Sequence, residues 1–260
     1  MGTSKGYKMP SGGDWGPLKR EATDFVQNIS VKPGAPQSLL GHYVRVRGSN
    51  GGSATSTGGE SGSGSTSGGT KDGRARAWGA GVGTAKRLGG FLSRVGEVGL
   101  AEALREEGLG DLVGRPASEI SGALLDKLAG PGSTLDQAAA REALVELNDE
   151  LLAEAKTFDD TEMALGTTLD KGGIFEVLLR FFGHYLYSCF CRDFYERLLK
   201  KVGSSQAAQS LKSIKDCIQS AIKAKLSGQD TRTFNWRGAE GKKLSEQVLA
   251  EILDIFEVPA

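Results

Sequence analysis

Two histidines, three cysteines and a few carboxylate runs are the side chains here that could bind a metal, attack a carbonyl or move a proton. Their spacing argues against each use. His42 and His184 are far apart, and neither sits in the H-E-x-x-H pattern that lets two imidazoles on one helix face share a zinc ion. Cys189 and Cys191 are separated by one residue, which on a helix turns their side chains about 200° apart. Cys217 falls on another predicted helix. All three read as small buried hydrophobes. Asp159, Asp160 and Glu162 read as a wet helix start, and Glu146, Glu150 and Glu154, four apart, as a solvated acidic face. No G-x-S-x-G elbow offers a nucleophile. Gly79, Gly81 and Gly83 are closely spaced but follow no strand, and there is no G-x-x-x-x-G-K-[ST], so no phosphate cradle is predicted. The expectation is no catalytic residue, no metal site and no intrinsic cofactor.

Basic residues carry the remaining chemistry. The 32 Lys/Arg and 32 Asp/Glu of the 260 residues cancel, but unevenly: residues 1–95 hold 13 basic and 5 acidic side chains, residues 96–260 hold 19 and 27. Such a basic half suits nucleic acid, an anionic surface or the chain's own acidic half. Arg45, Arg47, Arg74, Arg76, Lys86, Arg87 and Arg94 are the candidate phosphate contacts, with Trp78 as a base-stacking platform. No apolar run reaches 18 residues, so a membrane partner is not expected. Scattered cysteines and an opening without an apolar stretch predict a cytoplasmic protein.

The elements that must position these groups are helices. Glycine makes up 38 residues, about twice the usual share, and much of it lies in residues 48–73: 10 Gly, 7 Ser and 4 Thr among 26, with no leucine and no aromatic. That composition predicts a flexible linker with an end-to-end scale of roughly 25–30 Å. Ahead of it, residues 1–47 are read as an N-terminal arm: an open tail through residue 16, a short helix led by Pro17 and ending at 28, and a segment over 38–46 whose period fits helix or strand. Residues 74–260 form the body. Over 74–98 a helical stripe is interrupted by glycines: either small residues permit close helix packing, the reading preferred, or the segment orders only against a partner. An amphipathic piece follows at 100–107, then a helix opened by Pro116 and stopped at residues 130–132. Thr134 caps a long helix through 156. The most apolar stretch, 174–199, is apolar over so much of its circumference that it belongs mid-bundle, with Glu176 and Arg180 pairing on its outer side. Helices over 206–226 and 242–256 complete the body. The fold class predicted is all-α: a multi-helix bundle preceded by a flexible, partly disordered arm.

Met1-Gly2-Thr3-Ser4 with its glycine-rich continuation, Arg87-Leu88-Gly89-Gly90, the run Gly108-Leu109-Gly110-Asp111-Leu112-Val113-Gly114-Arg115-Pro116 and the stretch 252–258 resemble the QatB family of the bacterial Qat anti-phage system. These are soft signatures of small residues and leucines, and none is a catalytic motif. The resemblance implies a non-enzymatic component partnered by a QueC-like enzyme, alongside an ATPase and a TatD-like nuclease. It further implies that the α-amine of Gly2, freed by loss of Met1, accepts a 7-deazaguanine adduct supplied by that enzyme, with Thr3 and Ser4 gripped in its groove. Myristoylation of the same glycine fits poorly, because Gly6 stands where Ser or Thr is wanted.

Two functions follow: an anti-phage adaptor presenting Gly2, or a nucleic-acid module using the basic half.

Overall fold

A computed structural model describes residues 10–27, 34–49, 77–130, 132–226, 236 and 239–257. Among these residues there is no strand, and the chain is all-α as expected. Two helices, α1 (Trp15–Gln27) and α2 (Ala35–Ser49), precede the body. The body runs through α3 (Gly79–Val98), α4 (Leu100–Glu106), a 3₁₀ turn (Gly110–Leu112), α5 (Ala117–Ala129), α6 (Leu135–Leu151), α7 (Phe158–Leu226) and α8 (Ala239–Glu257).

Local chemistry sets most of these limits. Thr134 and Gln137 form a reciprocal capping box at the start of α6: the Gln137 N–H donates to Thr134 Oγ1 at 3.1 Å, and Gln137 Oε1 accepts from the Thr134 N–H at 3.2 Å. Thr157 and Asp160 open α7 likewise, Asp160 Oδ2 accepting from the Lys156 and Thr157 N–H groups, so the acidic run does mark a helix start. That cap also explains why α6 stops at Leu151 and not at 156. The chain must turn after Leu152 to present residues 156 and 157 to Asp160, while Lys156 O accepts from the Ala117 N–H. Glu162 reaches across to cap α4, its Oε1 2.9 Å from the Leu100 N–H.

α7 is the axis of the molecule. It packs against α1, α2, α3, α5, α6 and α8, and buries Leu178, Phe181, Phe182, Tyr185, Phe190 and Phe194. The helices expected over 174–199 and 206–226 follow one another without a loop in α7, set off by non-helical backbone at Gly173 (φ 65°), ahead of the first, and at Gly203 (φ 78°), between them. At such positive φ any other L-residue is strained. Glycine serves packing in α3, where a Cβ on Gly81 would overlap the Tyr185 ring. Gly81 and Gly89, the latter against the Trp236 ring, therefore mark close packing of α3, while residues 74–76 of the predicted helix lie outside the described residues.

The N-terminal arm differs from the expectation. Trp15 opens α1 and is buried, so the open tail ends before it. Residues 38–46 are helical within α2, and Gly48 and Ser49, assigned by composition to the linker, continue that helix. Leu18, Phe25, Leu39, Leu40 and Tyr43 belong to the same core as the body. The rest of the predicted linker lies outside the described residues.

Candidate functional site

α2, α3, α6 and α7 meet at a buried polar junction built from residues far apart in the chain. Arg47, near the end of α2, donates from Nη2 to Asp136 Oδ1 at 2.7 Å and from Nη1 to Asp193 Oδ2 at 3.2 Å. Asp136 sits in the first turn of α6, where the helix N-terminus favours an anion, and also accepts from the Tyr185 hydroxyl at 2.6 Å and the Ala80 N–H at 3.1 Å. Asp193, with only 1% of its side chain exposed, accepts from the Tyr43 hydroxyl at 2.7 Å and from Arg192 Nε at 3.1 Å. The Arg47 guanidinium lies 4.4 Å from the centre of the Trp78 ring. Burial, then the neighbouring carboxylates and Cys189, push the hydroxyls of Tyr43 and Tyr185 well above the usual phenol range, so both act as hydrogen-bond donors. Burial works against the Arg47 charge, but its anionic and polar surroundings outweigh it and hold the guanidinium protonated.

A second feature is open. A cleft of ≈ 540 Å³ lies between the end of α6 and two stretches of α7. Glu150 Oε1 accepts from Arg180 Nη1 at 2.9 Å, and Glu150 Oε2 is 3.1 Å from His184 Nε2. Arg180 also pairs with Glu176, the contact expected from their spacing. Lys215 Nζ reaches Glu146 at 2.7 Å and lies over the Tyr187 ring. Glu146 and Glu150 stay exposed, as a solvated acidic face requires, and also pair with α7; Glu154 lies beyond the end of α6 and is exposed.

The structure sorts the sequence-predicted residues. Gly2, Thr3, Ser4, Arg74 and Arg76 lie outside the described residues. Arg47 and Trp78 are brought together, but inside the molecule: Trp78 is fully buried and cannot stack on a base, and Arg47 is committed to two carboxylates. Arg94 pairs with Glu106 and Glu97. Arg87 is exposed yet donates from Nε to Leu128 O at 2.6 Å, satisfying a carbonyl in the last turn of α5. Arg45 is exposed and Lys86 half-buried. Burial pushes the thiol of Cys189 up to about 12 and that of Cys191 to about 11, while Cys217 donates to Gln37 Oε1 at 3.3 Å. Among the described residues no group of three His, Cys, Asp or Glu side chains is placed to hold a metal ion, and no helix is long and apolar enough to cross a membrane. Sequence reasoning missed Asp136, Asp193 and Tyr43. Only the helix-capping position of Asp136 carried any local signal.

Residues 68–256 match the model of a family described as Qat anti-phage system associated protein QatB. The chain belongs to the QatB family. Membership assigns it to anti-phage defence and implies partners within the same system. The matched stretch takes in α3 to α7 and all but the last residue of α8, and leaves out α1 and α2. In this QatB-family chain, Arg47 and Tyr43 thus come from outside the match to complete a junction whose carboxylates lie inside it. No curated protein and no solved structure matches the chain.

Proposed function

We propose that this chain is a non-enzymatic adaptor of the Qat system. Its helical body docks a QueC-like enzyme, and its amino-terminal segment presents Gly2 for conjugation to a 7-deazaguanine. Family membership supports the setting. The anchoring of α1 carries the specific reading: Trp15 is packed between Tyr43 and Phe194 at ring distances of 6.3 and 6.5 Å, and Lys19 Nζ donates to Pro10 O at 2.7 Å. Residues 11–14 are exposed. Pro10 is therefore a fixed surface point, and the eight residues from Gly2 to Met9 span at most ~28 Å when extended. A partner docked on the body within that distance can be reached by the amino end.

The chemistry suits an α-amine. Its pKa near ~7.7–8.0 leaves a substantial neutral fraction at neutral pH, unlike a lysine near ~10.4. The Gly2 nitrogen, exposed by loss of Met1, attacks the activated acyl carbon of the deazapurine. The activating group leaves, the nitrogen gives up a proton and an amide forms. Glycine presents no side chain to crowd that approach, and Thr3 and Ser4 would be the residues that the enzyme grips.

Intact-mass and N-terminal peptide analysis after coexpression with a QueC-like partner tests this. An N-terminal peptide gaining the mass of one deazaguanine acyl group, abolished by extending the chain ahead of Gly2, is expected. An unmodified N-terminus beside an active, bound partner refutes it.

A further inference from the structure

The seat of α1 and α2 has a composition of its own. Its floor is aromatic: Trp78, Phe190 and Phe194 surround Tyr43 at centroid distances of 6.3, 5.3 and 5.9 Å, all edge-on. One lip is the backbone of α8, where Ile255 O accepts from Gln37 Nε2 at 3.0 Å and the Phe256 carbonyl lies so close to Gly41 that a Cβ there would overlap it. The other lip is α7, where Arg197 Nε donates to Lys19 O at 3.2 Å and Gln206 Nε2 to Val26 O at 2.6 Å. The polar end is the carboxylate pair Asp136 and Asp193.

The connection to that seat is far longer than the gap it closes. Arg47 Nη2 donates to Ala77 O at 3.3 Å, so the chain leaves α2 and re-enters before α3 at one place. Residues 50–76 lie between, with a contour length of ~90 Å, where a handful of extended residues would suffice. Every wall of the seat except residues of α1 and α2 themselves falls in the family-matched stretch.

We propose that the surface between α7 and α8, closed by α3, is a docking groove for a helical hairpin, filled in this chain by its own α1–α2. Its recognition element is an aromatic residue followed one turn later by an arginine, Tyr43 and Arg47. The carboxylates set the specificity. A helix lacking the cation takes an ion-pair partner from both Asp136 and the buried Asp193, so the groove selects a basic amphipathic helix over a neutral one. The covalent tether gives the chain's own hairpin a high effective concentration, so a competing helix enters only against that advantage or after the tether is cut.

The test uses the full chain with a site-specific protease sequence inserted between Gly58 and Gly59. After cleavage the two halves should co-elute. A fluorescent synthetic peptide of residues 10–49 should exchange into the nicked particle while far-UV circular dichroism shows the body still helical. The same peptide with Arg47→Glu should compete at least ~30-fold more weakly, as expected when one partner of a buried charge pair is lost. In parallel, a nicked chain carrying Arg47→Glu should shed its N-terminal half on gel filtration. Halves that separate only when the body unfolds, or an Arg47→Glu half that binds as tightly as the native one, would overturn the proposal. Neither measurement involves Gly2 or an enzyme, so failure here leaves the adaptor reading standing.

Discussion

Arg47→Met isolates the energetics of the junction. Methionine keeps an unbranched stem of similar reach, so the loss is mostly that of the guanidinium. Removing it strips one ionic partner from Asp193, which is almost fully buried, and one from Asp136, about a quarter exposed. Breaking a buried ion pair from one side costs about 3–5 kcal/mol. Arg192 stays on Asp193 and the Tyr43 and Tyr185 hydroxyls stay on the carboxylates, which favours the lower end, about 3 kcal/mol. For a chain of this size that lowers Tm by roughly 6–12 °C. Urea titration followed by far-UV circular dichroism and by tryptophan fluorescence measures the change. Trp15 and Trp78 flank Tyr43, so two of the three tryptophans report the junction. The companion Arg47→Met/Asp193→Asn removes the Asp193 charge while leaving an acceptor for Tyr43, and should recover at least half of the loss. A single variant within ~0.5 kcal/mol of the native chain, the usual range for a surface change, would refute the reading of a buried, energetically coupled cluster.

Four further outcomes are expected. Thr134→Ala removes one arm of the α6 capping box and should cost about 1 kcal/mol in the same titration. Gly81→Ala, which drives a methyl group into the Tyr185 ring, should destabilise by about 1–3 kcal/mol, whereas Gly90→Ala, on the same helix with nothing near its would-be Cβ, should stabilise by about 0.5–1 kcal/mol. The His184 hydrogen bond, with Arg180 and against burial, holds the Glu150 carboxyl below its usual value near 4.5. A depressed carboxyl contributes stability above that value and loses it as pH falls through the folded-state pKa, so Glu150→Gln should flatten the acid limb of a Tm-against-pH profile. Finally, with their thiols raised toward 11 and 12, Cys191 and Cys189 should react with iodoacetamide at pH 8 far more slowly in the native chain than in urea, as read by mass spectrometry.

The parts of this fold written locally were legible. A capping threonine followed three residues later by glutamine, a threonine–aspartate start, a proline ahead of α5 and an apolar circumference around residues 174–199 each act within one or two turns. What sequence could not supply were partners 89 and 146 residues away. Arg47 stands beside a glycine-serine run and looks like any linker-flanking cation until α6 and α7 bring Asp136 and Asp193 to it. Trp78 next to arginines looks like a stacking platform until Tyr43 and Tyr185 enclose it. The extra turn assigned to α6 has the same origin: Leu151, Leu152 and Ala153 continue the helical pattern, and only the demand of Asp160 for the N–H groups of residues 156 and 157 ends it.

Charge segregation along the chain finds an internal use in these contacts. The basic first third faces the acidic remainder through Arg47 with Asp136 and Asp193, and through Arg94 with Glu97 and Glu106. Of the arginines that suggested phosphate binding, those two are already neutralised by carboxylates, and Arg87 is bound to a helix end. Among the described residues that leaves Arg45 and Lys86 as candidate phosphate contacts, with no exposed tryptophan at Trp78; Arg74 and Arg76 lie outside them. Counterion release scales with the number of phosphates neutralised, so Arg45 and Lys86 by themselves would contribute only a shallow salt slope. The same charges do better as an internal code: a cation on a tethered hairpin and two carboxylates on the body fix the register in which the hairpin seats. That register sets where Pro10 stands, and with it how far the amino end can reach.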